Sequence, residues 1–260
     1  MRTFSSLLVR GLIAGLFAGL LAGTFAYVMG EPHIDAAIAI EEAGAPTHTH
    51  SDDPAATEAE EEPLVSRNGQ RAGLFLATSL YGVALGGIFA VAFTLLRRRL
   101  RTTSDSYAAL GLAAAGFIGI VLVPFLKYPA NPPAVGDPET ITKRTISYLL
   151  LLVIGLLAVW AGVAAARWAE ARFTEPPAWV RLAFGTAAFA VTVIAAYLIL
   201  PAVNEVPGTF PATLLWQFRL SALGTQTVLW LLLGFAFAGL ADRRLKPVGT
   251  VVPAATGGVA

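Results

Sequence analysis

The chain has 260 residues, of which 56 % are hydrophobic and 13 % are charged, and its mean hydropathy is +0.67. Soluble domains average roughly 25 % charged residues, so this composition excludes an ordinary soluble protein and indicates one integral membrane domain. The net charge of +1 distinguishes no class of partner, and the absence of cysteine excludes disulfides, thiolate metal sites and iron–sulfur clusters.

Six apolar runs are long enough to cross a bilayer as helices, because a helical span needs about 20 residues and satisfies its own backbone hydrogen bonds. The runs cover residues 7–29, 72–96, 107–126, 146–166, 182–200 and 220–240. Cytoplasmic loops carry an excess of lysine and arginine, and an N-terminus inside the cell places twelve of these residues in the cytoplasm and six outside. The sequence therefore predicts an all-α bundle of six transmembrane helices, with both termini in the cytoplasm, in the inner or plasma membrane.

This single transmembrane domain is predicted to cover residues 1–245, followed by a disordered cytoplasmic tail at 246–260. Arg2 and Arg10 come before the long hydrophobic stretch of the first run, as basic residues do in a secretory signal peptide. The run is longer than the usual apolar region of such a peptide, which has about 7–15 residues, and no clean A-x-A cleavage site follows it. We therefore expect the first span to be retained; cleavage would leave five spans in the same orientation.

The first span carries a glycine at every fourth position from Gly11 to Gly23. Such a stripe allows two helix backbones to approach closely, and Gly82 and Gly86 of the second span offer a matching narrow face. The stripe predicts tight helix packing, either within the chain or between copies in an oligomer. The lining of a pore is the alternative interpretation.

The loop after the first span, residues 30–71, holds all three histidines and ten of the seventeen acidic residues. Its distal part, residues 45–66, has almost no large apolar side chain and is predicted to be a flexible outer loop. There His48 and His50 are followed by two aspartates, and these donors suit borderline divalent ions such as Co²⁺, Ni²⁺ or Zn²⁺. Incidental composition of a polar loop is the alternative.

The proximal part of this loop, residues 31–44, is predicted to form a short amphipathic helix, with Pro32 in its first turn and Gly44 at its end. His33 points away from the acidic face of such a helix. The carboxylates that project from that face are Glu31, Asp35 and Glu42. Three carboxylates in a row suit a divalent cation, and the solvated face of an interfacial helix is the alternative.

Two further loops that the orientation places outside are rich in proline. Residues 124–138 contain five prolines together with Asn131 and Asp137, which predicts a stiff, extended loop with free carbonyl groups. We interpret it as a ligand loop or plug, against the alternative of a plain connector. Residues 201–211 place Glu205 near the membrane edge, where it either contributes to an ion site or pairs with a neighbouring cation.

The cations considered as partners of Glu205 are Arg219 and Lys127. All three loops lie on one side of the predicted membrane, so they are expected to share one outer mouth. The complete set of candidate metal ligands is Glu31, His33, Asp35, Glu42, His48, His50, Asn131, Asp137 and Glu205.

Within the spans no Asp or Glu lies near a predicted midplane, and Gln226 is the main buried polar side chain. Proton relays usually contain intramembrane carboxylates, so a proton-coupled antiporter is disfavoured. The sequence has no Gly-rich phosphate loop, no H-E-x-x-H motif and no nucleophile motif, so we expect no enzyme and no permanently bound cofactor. The basic clusters are explained by orientation, and nucleic-acid binding is not expected.

Three stretches carry a resemblance to a known family. They are Gly30-Glu31-Pro32-x-Ile34-Asp35 with Glu41-Glu42, the run LKYPANPPAVG at 126–136, and Leu200-Pro201-x-x-Asn204-Glu205-Val206-Pro207 with Phe218-Arg219. Together they resemble the CbtA family of predicted cobalt transporter subunits. The resemblance implies a membrane protein linked to cobalt supply for cobalamin synthesis, with a small single-span, histidine-bearing partner, CbtB. It also selects Co²⁺ as the transported ion, with Ni²⁺ as the alternative; composition and spacing do not.

Two functional hypotheses follow. The first is a transporter, or transporter subunit, that captures a divalent cation on its outer face; because only neutral imidazole binds metal, uptake through the histidines should weaken below about pH 6. The second is a non-transporting scaffold that assembles a partner transporter through the glycine stripe of the first helix.

Overall fold

A computed structural model describes residues 4–44, 66–100 and 102–242 of the chain. All the regular secondary structure in these ranges is helical. In chain order the elements are α1 (Phe4–Phe25), a π-helical turn (Ala26–Gly30), α2 (Glu31–Gly44), α3 (Arg67–Leu96), α4 (Asp105–Gly116), a second π-helical segment (Phe117–Leu122), α5 (Val123–Lys127), a 3₁₀ turn (Pro138–Thr140), α6 (Ile141–Arg172), α7 (Ala178–Ile199) and α8 (Ala212–Ala241).

Six helical stretches in the described ranges are long and apolar enough to cross a membrane, which confirms the predicted six-helix membrane fold. They are Phe4–Ala43, Arg67–Leu96, Asp105–Lys127, Pro138–Arg172, Ala178–Ile199 and Ala212–Ala241. Most extend beyond the apolar runs. The fifth ends one residue earlier than predicted, because Leu200 precedes Pro201 and is extended, with φ −74° and ψ 143°. The predicted cytoplasmic tail and nearly all of the predicted flexible loop lie outside the described residues.

The first span and the amphipathic helix form one continuous helical rod, whereas the sequence predicted a span at 7–29 and a separate short helix at 31–44. The predicted helix is present as α2, Glu31–Gly44, whose last residue is also the last one described before the gap, and the π-helical turn Ala26–Gly30 joins it to α1 without a break. A wider turn accommodates the ring and the missing N–H of Pro32, which would disrupt a regular α-helix. At 1.5 Å per residue the rod is about 60 Å long, roughly twice the thickness of the hydrocarbon layer of a membrane. The α2 part of the rod therefore projects beyond that layer.

The glycine stripe of α1 packs against α3 within the same chain. A Cβ atom added at Gly15 would overlap the carbonyl oxygen of Gly82, and one at Gly11 would overlap that of Gly86. The stripe is therefore covered, and it neither lines a pore nor offers a free face to a second copy. This corrects the prediction that an oligomer or a partner would assemble through it.

The hydrophobic core between the spans divides into two parts. Helices α1, α3, α4 and α8 form the main bundle, in which Phe89 and Phe93 each lie edge-to-face on Phe237 with ring centroids 5.1 Å apart. The α6–α7 hairpin packs against the second π-helical segment and α5. Only 6 % of the apolar window of α7 is buried, so most of this helix faces outward from the protein.

Candidate functional site

The three segments that the sequence predicted to share a mouth meet at one end of the bundle. Ala37 of α2, Val135 of the first proline-rich loop and Phe210 of the second loop are all buried and belong to one apolar cluster. We call this part of the molecule, formed by α2 and the loops 128–140 and 201–211, the loop end. The contacts there bring together charged residues that are far apart in sequence.

Four charged side chains link α2 to the start of α3, and we call them the α2–α3 ion cluster. Arg67 Nη2 lies 2.8 Å from Glu31 Oε2 and 2.7 Å from Asp35 Oδ1. Arg71 contacts the same two carboxylates, at 3.3 Å and 2.8 Å. Glu31 and Asp35 are four residues apart on α2, and Arg67 and Arg71 are four residues apart on α3. Each helix therefore presents two like charges on one face. Facing acidic and basic pairs at this spacing were a signal that the sequence reasoning missed.

The two carboxylates of this cluster differ in exposure. The side chain of Glu31 is 8 % exposed, whereas that of Asp35 is 43 % exposed and lies beyond the apolar run that spans the membrane. The hydrogen bond from Arg67 holds the pKa of Asp35 below its ordinary value, with a further contribution from Arg71. Asp35 therefore stays ionised to a lower pH than a free aspartate does, which keeps the cluster charged.

A second buried carboxylate, Glu205, is held by three side chains of the loop end. It accepts hydrogen bonds from Thr140 and from Arg144, and a weaker one from Asn131 Nδ2 at 3.3 Å. Its side chain is only 2 % exposed. The cation that pairs with Glu205 is thus Arg144 at the start of α6, and not Arg219 or Lys127, the partners considered from the sequence.

The two proline-rich loops are tied to each other through backbone carbonyl groups. Tyr128 donates a hydrogen bond to the carbonyl of Pro201 at 2.6 Å, and Lys127 Nζ donates to that of Tyr197 at 2.8 Å. Tyr197 in turn donates to the carbonyl of Val123 at 2.6 Å. The carbonyl of Tyr197 is free of a helical partner, because Pro201 four residues later has no N–H. Together the three bonds tie α5, the end of α7 and the two loops into one frame.

Arg219 completes this frame from α8. It donates through Nη2 to Asn131 Oδ1 at 3.0 Å and through Nε to the carbonyl oxygen of Ala130 at 3.3 Å. Asn131 therefore bridges Arg219 and Glu205, which is a positioning role within the loop end.

Two cavities adjoin at this frame. The first has a volume of about 280 Å³ and is lined by residues of both proline-rich loops and by Lys127, Arg144 and Arg219. The second, of about 620 Å³, extends between the spans to Gln226. Tyr128, Pro129, Asn131 and Arg144 line both cavities. Among the residues that the structure describes, the Oε1 atom of Gln226 is buried without a hydrogen-bond partner.

The predicted metal ligands are distributed over separate places. Glu31 and Asp35 share one cluster and Asn131 and Glu205 another, while Asp137 accepts a hydrogen bond from the backbone N–H of Glu139 at 2.9 Å and caps a 3₁₀ turn. His33 is half-buried and Glu42 is exposed on α2. His48 and His50 lie outside the described residues.

Within the described ranges, no three His, Cys, Asp or Glu side chains are grouped as they would be around a metal ion. The arrangement instead neutralises each buried carboxylate with arginine. A complete metal site at the loop end would need a further ligand or a rearrangement of these arginines, and the assignment of the nine residues as ligands stays a prediction.

Comparison with known proteins places the whole membrane domain in one family. The model of the CbtA family, described as "Probable cobalt transporter subunit (CbtA)", matches residues 4–242. No curated protein and no solved structure matches the chain. The match covers all six membrane-spanning helices and all the residues of the loop end, and on this evidence the chain belongs to the CbtA family of probable cobalt transporter subunits.

Proposed function

We propose that this protein is a subunit that takes up divalent cobalt through the cell membrane, for use in cobalamin synthesis. The observation that carries the proposal is the family match over residues 4–242. Six helices of membrane-spanning length provide the scaffold for a path. The excess of lysine and arginine at the opposite end of the bundle supports a loop end that faces outward, so the ion would be captured there.

The best-suited place for capture is the α2–α3 ion cluster. One nitrogen of Arg67 lies within 2.8 Å of an oxygen of Glu31 and of an oxygen of Asp35, so a positive group already bridges the two carboxylates. A divalent metal binds carboxylate oxygens at roughly 2.0–2.2 Å, as zinc does, and it would replace the guanidinium between them.

Competition with arginine sets the strength of such a site. The cation must displace two guanidinium groups that hold the carboxylates in four ion pairs. Binding is then weaker than in a preformed acidic site, which suits transport, because an ion that binds too tightly does not leave. His48 and His50, which lie outside the described residues, would gather ions on the outer face.

Uptake of radiolabelled Co²⁺ by cells that express the protein tests this proposal. Replacing Glu31 with Gln and Asp35 with Asn together should reduce uptake at least about tenfold, since two of the charged ligands are lost; tenfold corresponds to about 1.4 kcal/mol of binding free energy. Glu139→Gln is the matched control, because Glu139 is an exposed acid of the same loop end. Equal uptake by the double variant and the control, at equal protein level in the membrane, would show that Glu31 and Asp35 do not bind the transported ion.

The alternative function is a membrane scaffold that supports a partner transporter without carrying the ion. It is favoured by the outward apolar face of α7, of which little is buried within the chain, and by the arginine pairing of Glu31, Asp35 and Glu205. Purified protein in liposomes separates the two functions: a transporter admits Co²⁺ alone, whereas a scaffold admits it only after a histidine-bearing single-span partner of the CbtB type is added.

A further inference from the structure

Two cations of the smaller loop-end cavity have only neutral partners. Lys127 donates to the carbonyl of Tyr197 and lies 5.6 Å and 5.7 Å from the ring centroids of Tyr128 and Tyr197. Arg219 donates to an amide oxygen and a carbonyl oxygen. In the part of the chain that the structure describes, neither has a carboxylate within ion-pair distance, and each has donors left over.

The charges around this cavity do not balance. Lys127, Arg144 and Arg219 line it, and Glu205 is the one acid that lines it among the residues that the structure describes. Because Glu205 is paired with Arg144, a formal charge of +2 remains on the other two side chains. Both are half-buried, and partly buried charges are costly unless a counter-charge or water solvates them. A bare divalent cation would be repelled here, so the charge of this cavity favours an anion and not the ion proposed for α2.

We propose that this cavity binds a phosphate group through Lys127 and Arg219. A guanidinium fork and an ammonium group are the usual protein ligands of phosphate oxygens. The volume of about 280 Å³ is roughly nine times the 30 Å³ that a water molecule occupies in the liquid, so a phosphate group fits with some of its water. Asn204, which also lines the cavity and is exposed, adds an amide donor at the rim.

The phosphate group has two sources at this position. The cavity lies where α5 ends and where α8 begins its membrane span, which is the depth of lipid headgroups, so a phospholipid can supply it. A soluble phosphate can also enter from the aqueous side of the loop end. The chemistry is the same for both, and the site is independent of cobalt transport, because the charge imbalance exists without any metal.

Chemical protection of Lys127 tests the proposal without any substitution. The chain has only three lysines, Lys127, Lys143 and Lys246, so acetylation by an amine-reactive reagent can be followed at each by peptide mass spectrometry. Purified protein in detergent is treated with the reagent in the presence of one of three additions: inorganic phosphate, phosphatidylglycerol in mixed micelles, or chloride at equal ionic strength as the reference. At a probe concentration of about ten times Kd, labelling of Lys127 should slow roughly tenfold, while Lys143, which is exposed and outside the cavity, should label at an unchanged rate.

The two probes identify the source. Protection by inorganic phosphate alone supports a soluble ligand, and protection by phosphatidylglycerol alone supports a lipid headgroup. Protection by both supports a site open to either. Unchanged labelling of Lys127 with both probes, or equal slowing at Lys143, would overturn the proposal.

Variants give a second measurement. In the wild type the effective probe should raise Tm, and Lys127→Gln with Arg219→Gln should abolish that rise, since both phosphate ligands are lost. Lys143→Gln removes one positive charge from the neighbouring start of α6 and should leave the rise intact. If the double variant folds and its Tm rises as much as that of the wild type, the site is wrongly assigned; if it does not fold, the labelling of the wild type decides.

Discussion

Buried carboxylates at the loop end are stabilised by guanidinium groups, and Glu205 is the clearest case. Its side chain is 2 % exposed, and Arg144, Thr140 and Asn131 all donate to it. Breaking a fully buried ion pair costs about 3–5 kcal/mol, but the side chain of Arg144 is 37 % exposed, so water can solvate it when its partner is lost.

We therefore expect Glu205→Gln to lower the free energy of unfolding by about 1–3 kcal/mol, which is the cost of losing charged hydrogen bonds in a partly buried place. The amide keeps the shape and one acceptor oxygen but not the charge. Tm in detergent is the measurement. Glu139→Gln, an exposed acid nearby, should change stability by less than about 0.5 kcal/mol; equal effects of the two substitutions would contradict the pairing seen here.

Asp35 gives a pH dependence with a defined sign. Its pKa is lowered in the folded protein, first by the hydrogen bond from Arg67, so it binds fewer protons folded than unfolded over the acidic range. Its stabilisation is then fully present above its unfolded pKa of about 3.9 and is lost as pH falls through the lower, folded pKa. The Tm difference between wild type and Asp35→Asn should be constant from pH 7 to about pH 5 and vanish at lower pH.

The same pH window separates carboxylate from imidazole chemistry. Histidine changes charge near an unperturbed pKa of about 6.5, where Asp35 remains ionised. A Tm difference that disappears already near pH 6 would show that a histidine, and not Asp35, controls the α2–α3 ion cluster.

At the level of helices, the contact between α1 and α3 is made by backbone against backbone. Replacing a glycine with alanine adds one methyl group, and the room for that methyl group differs between the buried stripe and an exposed glycine of the same bundle. A Cβ at Gly15 would overlap the backbone of Gly82, whereas a Cβ at Gly111 would meet no atom within 4 Å. Alanine has the higher helix propensity at both positions, by about 1 kcal/mol.

Gly15→Ala should therefore destabilise the protein by about 1–3 kcal/mol, as overpacking of a close contact does, and Gly111→Ala should stabilise it by up to about 1 kcal/mol. Unfolding of the purified protein in detergent, followed by circular dichroism, measures both. The same substitution then has opposite effects in two helices, and a stabilising Gly15→Ala would mean that α1 does not pack on α3 through this stripe.

Those features that depend on local sequence were predictable, and those that depend on distant contacts were not. The six spans follow from apolar length, and the helical state of residues 31–44 follows from their amphipathic pattern. The π-helical turn that joins α1 to α2 depends on how both pack, so no local signal marked it. Glu205 and Arg144 are 61 positions apart, and only the fold selects Arg144 over the nearer Arg219 as its partner.

For the molecule as a whole, the two-part core has a mechanical consequence. The main bundle holds the α2–α3 ion cluster, and the α6–α7 hairpin provides Arg144 from α6. The loop-end cavities lie between these two parts, since they are lined from α6 and from α8. A displacement of the hairpin would therefore change both cavities together, while leaving α1 and α3 in contact.

The direction of transport rests on which side of the membrane the loop end faces. The lysine and arginine distribution predicts that it faces outward. Since the chain contains no cysteine, single cysteines introduced in loops report sidedness without background. Gly208 is exposed in the second proline-rich loop, with no atom within 4 Å of an added Cβ, and Thr174 is exposed in the turn between α6 and α7 at the opposite end.

In intact cells a membrane-impermeant maleimide should label Gly208→Cys and leave Thr174→Cys unmodified until the membrane is permeabilised. With the loop end outside, an inside-negative potential drives a divalent cation inward with about 4.6 kcal/mol per 100 mV, twice the value for one charge. Uptake should then fall when the potential is collapsed by an ionophore. The reverse labelling pattern would place the carboxylates of the α2–α3 ion cluster in the cytoplasm, where they could only receive or release the ion after it had crossed.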